Sequence, residues 1–169
     1  MRSVYDFIVK PISGRYNNTK DIGGVKFVTN TKIESYKSVS NEAEVIATPL
    51  SIVTDIKVGD KVIVHHNVFR RFYDIRGNEK NSRSHIKEDM YACSPEQIYL
   101  YGDNESHLDY CFVQPVVNDD EWSSQKEKSL TGILRYGNKI LEENDVHPGM
   151  VVGFTPESEF EFGIVTGKQ

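Results

Sequence analysis

Short apolar runs separated by turn residues set the rhythm of this chain. Phe7-Ile8-Val9-Lys10-Pro11-Ile12 reads as a strand ended by Pro, whose missing N–H cannot donate to a ladder. Glu44-Val45-Ile46-Ala47 reads as a second strand. Val58-Gly59-Asp60 is a tight turn in which Gly can take positive φ, and it feeds Lys61-Val62-Ile63-Val64, an apolar run expected in the core. The segment around Phe72 enters a hairpin with Gly77-Asn78 at its tip. Met90-Tyr91-Ala92-Cys93, a Ser94-Pro95-Glu96-Gln97 turn and Ile98-Tyr99-Leu100-Tyr101 complete the set. Many short strands with turn signals between them predict a small barrel.

The pattern then repeats in the same order. Phe7–Ile12 matches Cys111-Phe112-Val113-Gln114-Pro115-Val116, with Pro11 over Pro115. Glu44–Ala47 matches Gly132-Ile133-Leu134-Arg135, and Asp55–Val64 matches Asp145–Phe154. Phe72 and Gly77 meet Phe162 and Gly167 in the same register. The predicted fold is therefore mainly β, with two tandem small barrels over residues 1–103 and 104–169. Copy one carries a long polar segment, Ser13 to Glu42, where copy two has only Asn118 to Thr131. Copy two also reaches Gln169 before any counterpart of Met90–Tyr101. A barrel without its closing strand leaves an unpaired edge, so a strand from another chain, or a truncated sequence, is expected there.

Composition supports the β reading. Nine Tyr and eight Phe stand among many Val and Ile in 169 residues, which argues against a helical bundle. A net charge of −5 gives no global attraction to nucleic acid or anionic membrane. No apolar run approaches the roughly 18–20 residues that span a bilayer. Asp6 falls where a signal peptide would need its apolar stretch, so the expected compartment is the cytoplasm. Cys93 and Cys111, eighteen apart, read as buried or half-buried thiols rather than a metal or redox pair.

Over roughly residues 4–102 the chain resembles the GroES-type co-chaperonins, with the second copy a weaker match. The elements that carry the resemblance run in family order: Phe7–Ile12, Gly23-Gly24-Val25-Lys26-Phe27, Glu44–Ala47, Val58-Gly59-Asp60-Lys61-Val62, and Ser94-Pro95-Glu96-Gln97-Ile98. In that family the long loop is mobile, and its apolar tripeptide after Gly-Gly docks in a groove on the chaperonin ring. Ordering on binding keeps such docking modest and reversible. The resemblance thus implies a partner-binding segment of Gly23, Gly24, Val25, Lys26, Phe27 and Val28. Lys26 departs from the usual apolar middle position; on an extended backbone Val25 and Phe27 share one face and Lys26 the other.

The same resemblance implies a homo-oligomeric ring, a heptamer by family, that caps the folding chamber of a host chaperonin and assists client polypeptides without a cofactor. Residues 48–54 are too short for the roof hairpin that typical members insert before Val-Gly-Asp. In this the chain is similar to phage-encoded relatives, whose taller cage suits large clients such as capsid protein. Ser123–Lys128 in copy two has neither Gly-Gly nor an apolar tripeptide, so one docking loop per chain is expected.

Other chemistry is sparse. His65 and His66 are adjacent, and on a strand they would face opposite sides. His85, His107 and His147 lack ligand spacing, so no metal site is expected. The GroES-like fold also occurs in zinc-dependent medium-chain dehydrogenases, but their Gly-x-Gly-x-x-Gly half and Cys/His/Glu zinc set are missing here. No Walker loop, nucleophile elbow or paired-carboxylate motif occurs, and no enzyme is expected.

Val68 to Arg76, continuing through Lys80, Arg83 and Lys87, interleaves basic and aromatic residues. Arg70, Arg71, Phe72, Tyr73 and Arg76 could bind single strands by stacking and phosphate contact. That gives the alternative reading, a nucleic-acid-binding or virion structural barrel without chaperonin activity. A solvated or subunit-facing hairpin would look the same, since Asp74, Glu79, Glu88 and Asp89 dilute the charge. Asn118–Trp122 is an acidic linker with Trp122 packed on the barrel, or a partner-docking anchor.

Overall fold

A computed structural model describes residues 2–16, 19–22, 25–28, 38–117 and 127–158. The chain is mainly β and divides into two units, Met1–Leu108 and Asp109–Gln169. In the first unit the strands are β1 (Phe7–Pro11), β2 (Thr19–Ile22), β3 (Val25–Val28), β4 (Glu42–Ala47), β5 (Lys61–Val64), β6 (Arg71–Tyr73), β7 (Glu79–Asn81), β8 (His85–Lys87), β9 (Met90–Cys93), β10 (Ile98–Tyr101) and β11 (Glu105–Ser106). The second unit holds β12 (Phe112–Val117), β13 (Glu127–Tyr136), helix α1 (Lys139–Glu143) and β14 (Val151–Gly153). The boundary lies five residues beyond the expected one, because β11 pairs with β10 and keeps residues 104–108 in the first unit.

Seven strands form one antiparallel sheet in the order β11-β10-β5-β4-β1-β9-β8. β9 and β10 are neighbours in sequence but stand four strand spacings apart, about 19 Å in a flat sheet. Their link, Ser94–Gln97, contains a 3-10 turn, and even fully extended it would reach only about 17 Å. The sheet must therefore curl until its two sides approach. The core agrees with this: Tyr91 and Cys93 of β9, Phe7 and Val9 of β1, Val45 of β4, Val64 of β5 and Ile98 of β10 share one buried cluster. Alternation puts them there. In β4, Ala43, Val45 and Ala47 are buried while Glu42, Glu44 and Ile46 are half-buried.

The second unit is a three-stranded antiparallel sheet, β12-β13-β14, among the described residues. The Asn138 side chain caps α1 by accepting from Leu141 N–H at 2.9 Å and donates to the carbonyls of Asp109 and Tyr110. Among the described residues of this unit, Leu134 is the one apolar side chain that is fully buried. The expected second barrel is thus represented by three strands, and the counterparts proposed at Phe162 and Gly167 lie outside the described residues.

Those three strands repeat the pairing of β1, β4 and β5. Val9 pairs with Val45 and Ile8 with Ala47, so Ile46 is the extra residue of a bulge. Val113 pairs with Leu134 and Phe112 with Tyr136, which makes Arg135 the extra residue of the same bulge. The turns match as well. Gly59 N–H donates to Val45 O at 2.8 Å, as Gly149 N–H does to Leu134 O, with φ of 93° and 95° at the two glycines. Val45 is therefore equivalent to Leu134, not to Ile133 as the sequence match has it. The apolar run Ile133-Leu134 hides a one-residue slip, and in a strand one residue decides which side chain is buried.

Candidate functional site

Two features of the first unit carry the residues that the sequence singles out. The first is the long segment after β1. The chain leaves the sheet after Pro11 and rejoins it at Glu42; between them an isolated antiparallel bridge joins Tyr16 to Val39, and Ser40 N–H donates to Arg15 O at 2.9 Å. Between these points β2 and β3 pair, among the described residues, only with each other, in the register Thr19↔Val28, Lys20↔Phe27, Asp21↔Lys26 and Ile22↔Val25. Gly23 and Gly24, between Ile22 and Val25, lie outside the described residues. Val25, Lys26, Phe27 and Val28 form an extended strand. Lys26 stands opposite Asp21 in the register of the ribbon.

The second feature is the hairpin of β6 and β7. Its tip is held by Asp74, whose Oδ1 accepts from the backbone N–H of Arg76 at 2.9 Å and of Asn78 at 2.8 Å. The bond from Asn78 is the main reason its carboxyl sits below the usual aspartate range. Arg71 is committed within this hairpin: Nη1 meets Glu79 Oε1 at 2.8 Å and the guanidinium lies over the Tyr16 ring, 5.5 Å from its centroid. Tyr16 Oη accepts from Arg71 N–H at 2.7 Å. Arg15 reaches the same region. Its Nε and Nη2 donate to Phe69 O at 3.2 and 2.9 Å, and Nη1 to Asn81 Oδ1 at 2.7 Å. The two residues at the root of the β2–β3 ribbon thus fasten the hairpin to the sheet.

The basic and aromatic positions do not form one stripe. Arg70 and Phe72 line a cleft of about 390 Å³ together with Asn67, Ser82, Arg83, Ser84 and Gln97, whereas Arg71, Tyr73 and Arg76 lie outside its wall. Phe72 and Tyr73 are exposed, and Ile75 near the tip is fully so. Of the cleft residues, Arg70 and Phe72 were legible as candidates. Asn67, Ser82, Ser84 and Gln97 carry no local signal, and only the fold gathers them.

The histidine pair differs from expectation. β5 ends at Val64, and the chain turns into a 3-10 helix at His66–Val68, so the rings of His65 and His66 stack at 4.2 Å instead of facing opposite sides. Burial, then the neighbouring His65 and Arg70, push His66 down to about 4. Burial also lowers His65 and His107. Among the described residues no three of His, Cys, Asp and Glu converge as metal ligands, and no helix is long and apolar enough to cross a membrane. Cys93 is buried, with its thiol pushed far up by that burial, while Cys111 is exposed. Asn118–Trp122 lies outside the described residues. Comparison with protein-family models, curated proteins and solved structures finds no match for the chain.

Proposed function

We propose that this chain is a co-chaperonin of the GroES type, which docks on a host chaperonin ring through the ribbon segment Gly23–Val28. The observation that carries the reading is the ribbon itself. Its two ends are drawn together by the isolated bridge Tyr16–Val39, and its strands pair with no strand of the main sheet among the described residues. A segment whose ladder is internal can enter a partner's groove without breaking the sheet it grows from. Two further features support the reading. The strands fall in family order, and residues 48–60 between β4 and β5 contain no strand, as in a roofless member. The working form is a homo-oligomeric ring in the host cytoplasm, heptameric by family resemblance, capping the chamber over client polypeptides such as capsid protein.

The alternative, a nucleic-acid-binding or virion structural barrel, has less support, because Arg71 is tied to Glu79 and Tyr16. Capture by a chaperonin ring in the presence of nucleotide tests the proposal. The native chain is expected to bind, and Val25→Asp or Phe27→Asp to abolish capture. Failure of the native chain to bind, or a monomeric mass in solution, would sink it.

A further inference from the structure

The cleft beside the β6–β7 hairpin is built almost wholly from hydrogen-bond donors. Arg70 and Arg83 contribute two guanidinium groups, and neither makes an ion pair among the described residues. Arg70 Nε is buried without a hydrogen-bond partner. Gln97 Oε1 accepts from Ser94 N–H at 3.1 Å, which fixes the amide and leaves its NH₂ as the free donor. Asn67 and Ser84 add an amide and a hydroxyl. Ser82 Oγ is held by Val68 O at 2.6 Å. Among the described residues no carboxylate lines the cleft.

Two arginines without an ion-pair partner among the described residues line one cleft, and a bound anion can pair with both. Arginine's planar fork matches phosphate oxygens, and the surrounding neutral donors can take the oxygens that the forks leave free. Phe72 supplies the other half of the wall. The residue is 41% exposed and lines the cleft, so a flat group can lie against it beside the arginines. A volume of about 390 Å³ is within the range of small-molecule sites.

We infer that this cleft binds a phosphorylated small molecule carrying a flat ring, of nucleotide size, with phosphate on Arg70 and Arg83 and the ring on Phe72. The site is separate from the Gly23–Val28 ribbon and does not depend on the co-chaperonin reading. ATP, inorganic triphosphate and adenosine serve as probes in calorimetric titrations of the full chain at low salt. ATP is expected to bind best, triphosphate more weakly, and adenosine not measurably. Arg83→Gln and Arg70→Gln should each weaken ATP about tenfold or more, the loss expected of a charge-assisted pair. Arg83 is exposed, so its variant is a safe one to fold. Phe72→Ala should weaken ATP and leave triphosphate unchanged. Arg76→Gln, outside the cleft, should leave both unchanged.

His66 offers a reporter, because the charge of Arg70 helps to depress it. An anion on Arg70 should raise the His66 titration midpoint in NMR spectra. The inference fails if ATP shows no saturable binding at millimolar concentration, or if Arg76→Gln costs as much as Arg83→Gln. It also fails if ATP binds while His66 is unmoved. Affinity for oligothymidylate that grows with length and responds equally to Arg76→Gln would replace it with an extended nucleic-acid track.

Discussion

The guanidinium of Arg15 lies over the ring of Tyr91, 5.3 Å from its centroid, and the same group donates two bonds to Phe69 O. Phe69 in turn meets Tyr91 edge-on, with ring centroids 4.9 Å apart. One cation therefore closes a corner of the core where the sheet, the β6–β7 hairpin and the root of the β2–β3 ribbon meet. Removing it leaves a buried carbonyl without its donors. Arg15→Ala is expected to cost about 2 kcal/mol, read as a lower unfolding midpoint in urea and faster amide exchange in Asn81 and Tyr91. Arg15→Lys should recover part of this, since charge is kept and the fork lost. Tyr91 Oη is buried without a partner, so Tyr91→Phe should be neutral or slightly stabilising.

Gly132 is the second unit's counterpart of Ala43, and a methyl group will not fit there. A Cβ on Gly132 would stand 2.9 Å from Val113 Cβ and 3.1 Å from Gln114 O, both on the paired strand β12. Gly132→Ala is expected to destabilise the second unit by about 1–3 kcal/mol by prying β12 from β13. Amide spectra should lose the resonances of residues 112–117 and 131–153 first and keep those of the first unit. An unchanged second-unit spectrum and melting profile would count against the described register.

His66 makes stability depend on pH. Its folded pKa, about 4, lies below the ordinary histidine value, so between about 4 and 6.5 the unfolded chain binds the proton that the folded chain refuses. Stability should therefore rise with pH through that window and level off above it. His65 and His107 are shifted in the same direction and add to the trend. Urea unfolding at stepwise pH should show a shallower slope for His66→Gln than for the native chain.

The two thiols should separate cleanly by reactivity. Cys111 is exposed, although partial burial raises its pKa, so alkylation should be slow at neutral pH and quicken in alkali. Cys93 is inaccessible in the core and should react only after denaturation. Mass spectrometry after iodoacetamide treatment checks this, with one adduct expected on the native chain and two in denaturant.

Local pattern determined much of the first unit by itself. The strands Lys61–Val64, Met90–Cys93 and Ile98–Tyr101, with the Ser94–Gln97 turn between the last two, fall where alternation and turn residues put them. Pro11 ends β1, and Gly59 takes the positive φ that its turn needs. These are decisions a few neighbouring residues can make. The internal repeat was legible too, because equivalent strands need equivalent apolar spacing.

Tertiary structure decided what depends on distant partners. Which of Ile133 and Leu134 stands opposite Val113 is a matter of pairing, and two adjacent apolar residues leave it open until β12 and β13 meet. The short strands β8 and β11 have too little pattern to be seen, and they exist because β9 and β10 offer them ladders. His65 and His66 stack because β5 stops one residue before them. The cleft draws on residues from Asn67 to Gln97, and no stretch of sequence brings Arg70, Arg83 and Gln97 to one wall. Sequence supplied its arginines, but the pairing of β6 with β7, which sets Arg71 opposite Asn81, carried Arg70 and Arg83 to the same end of the hairpin.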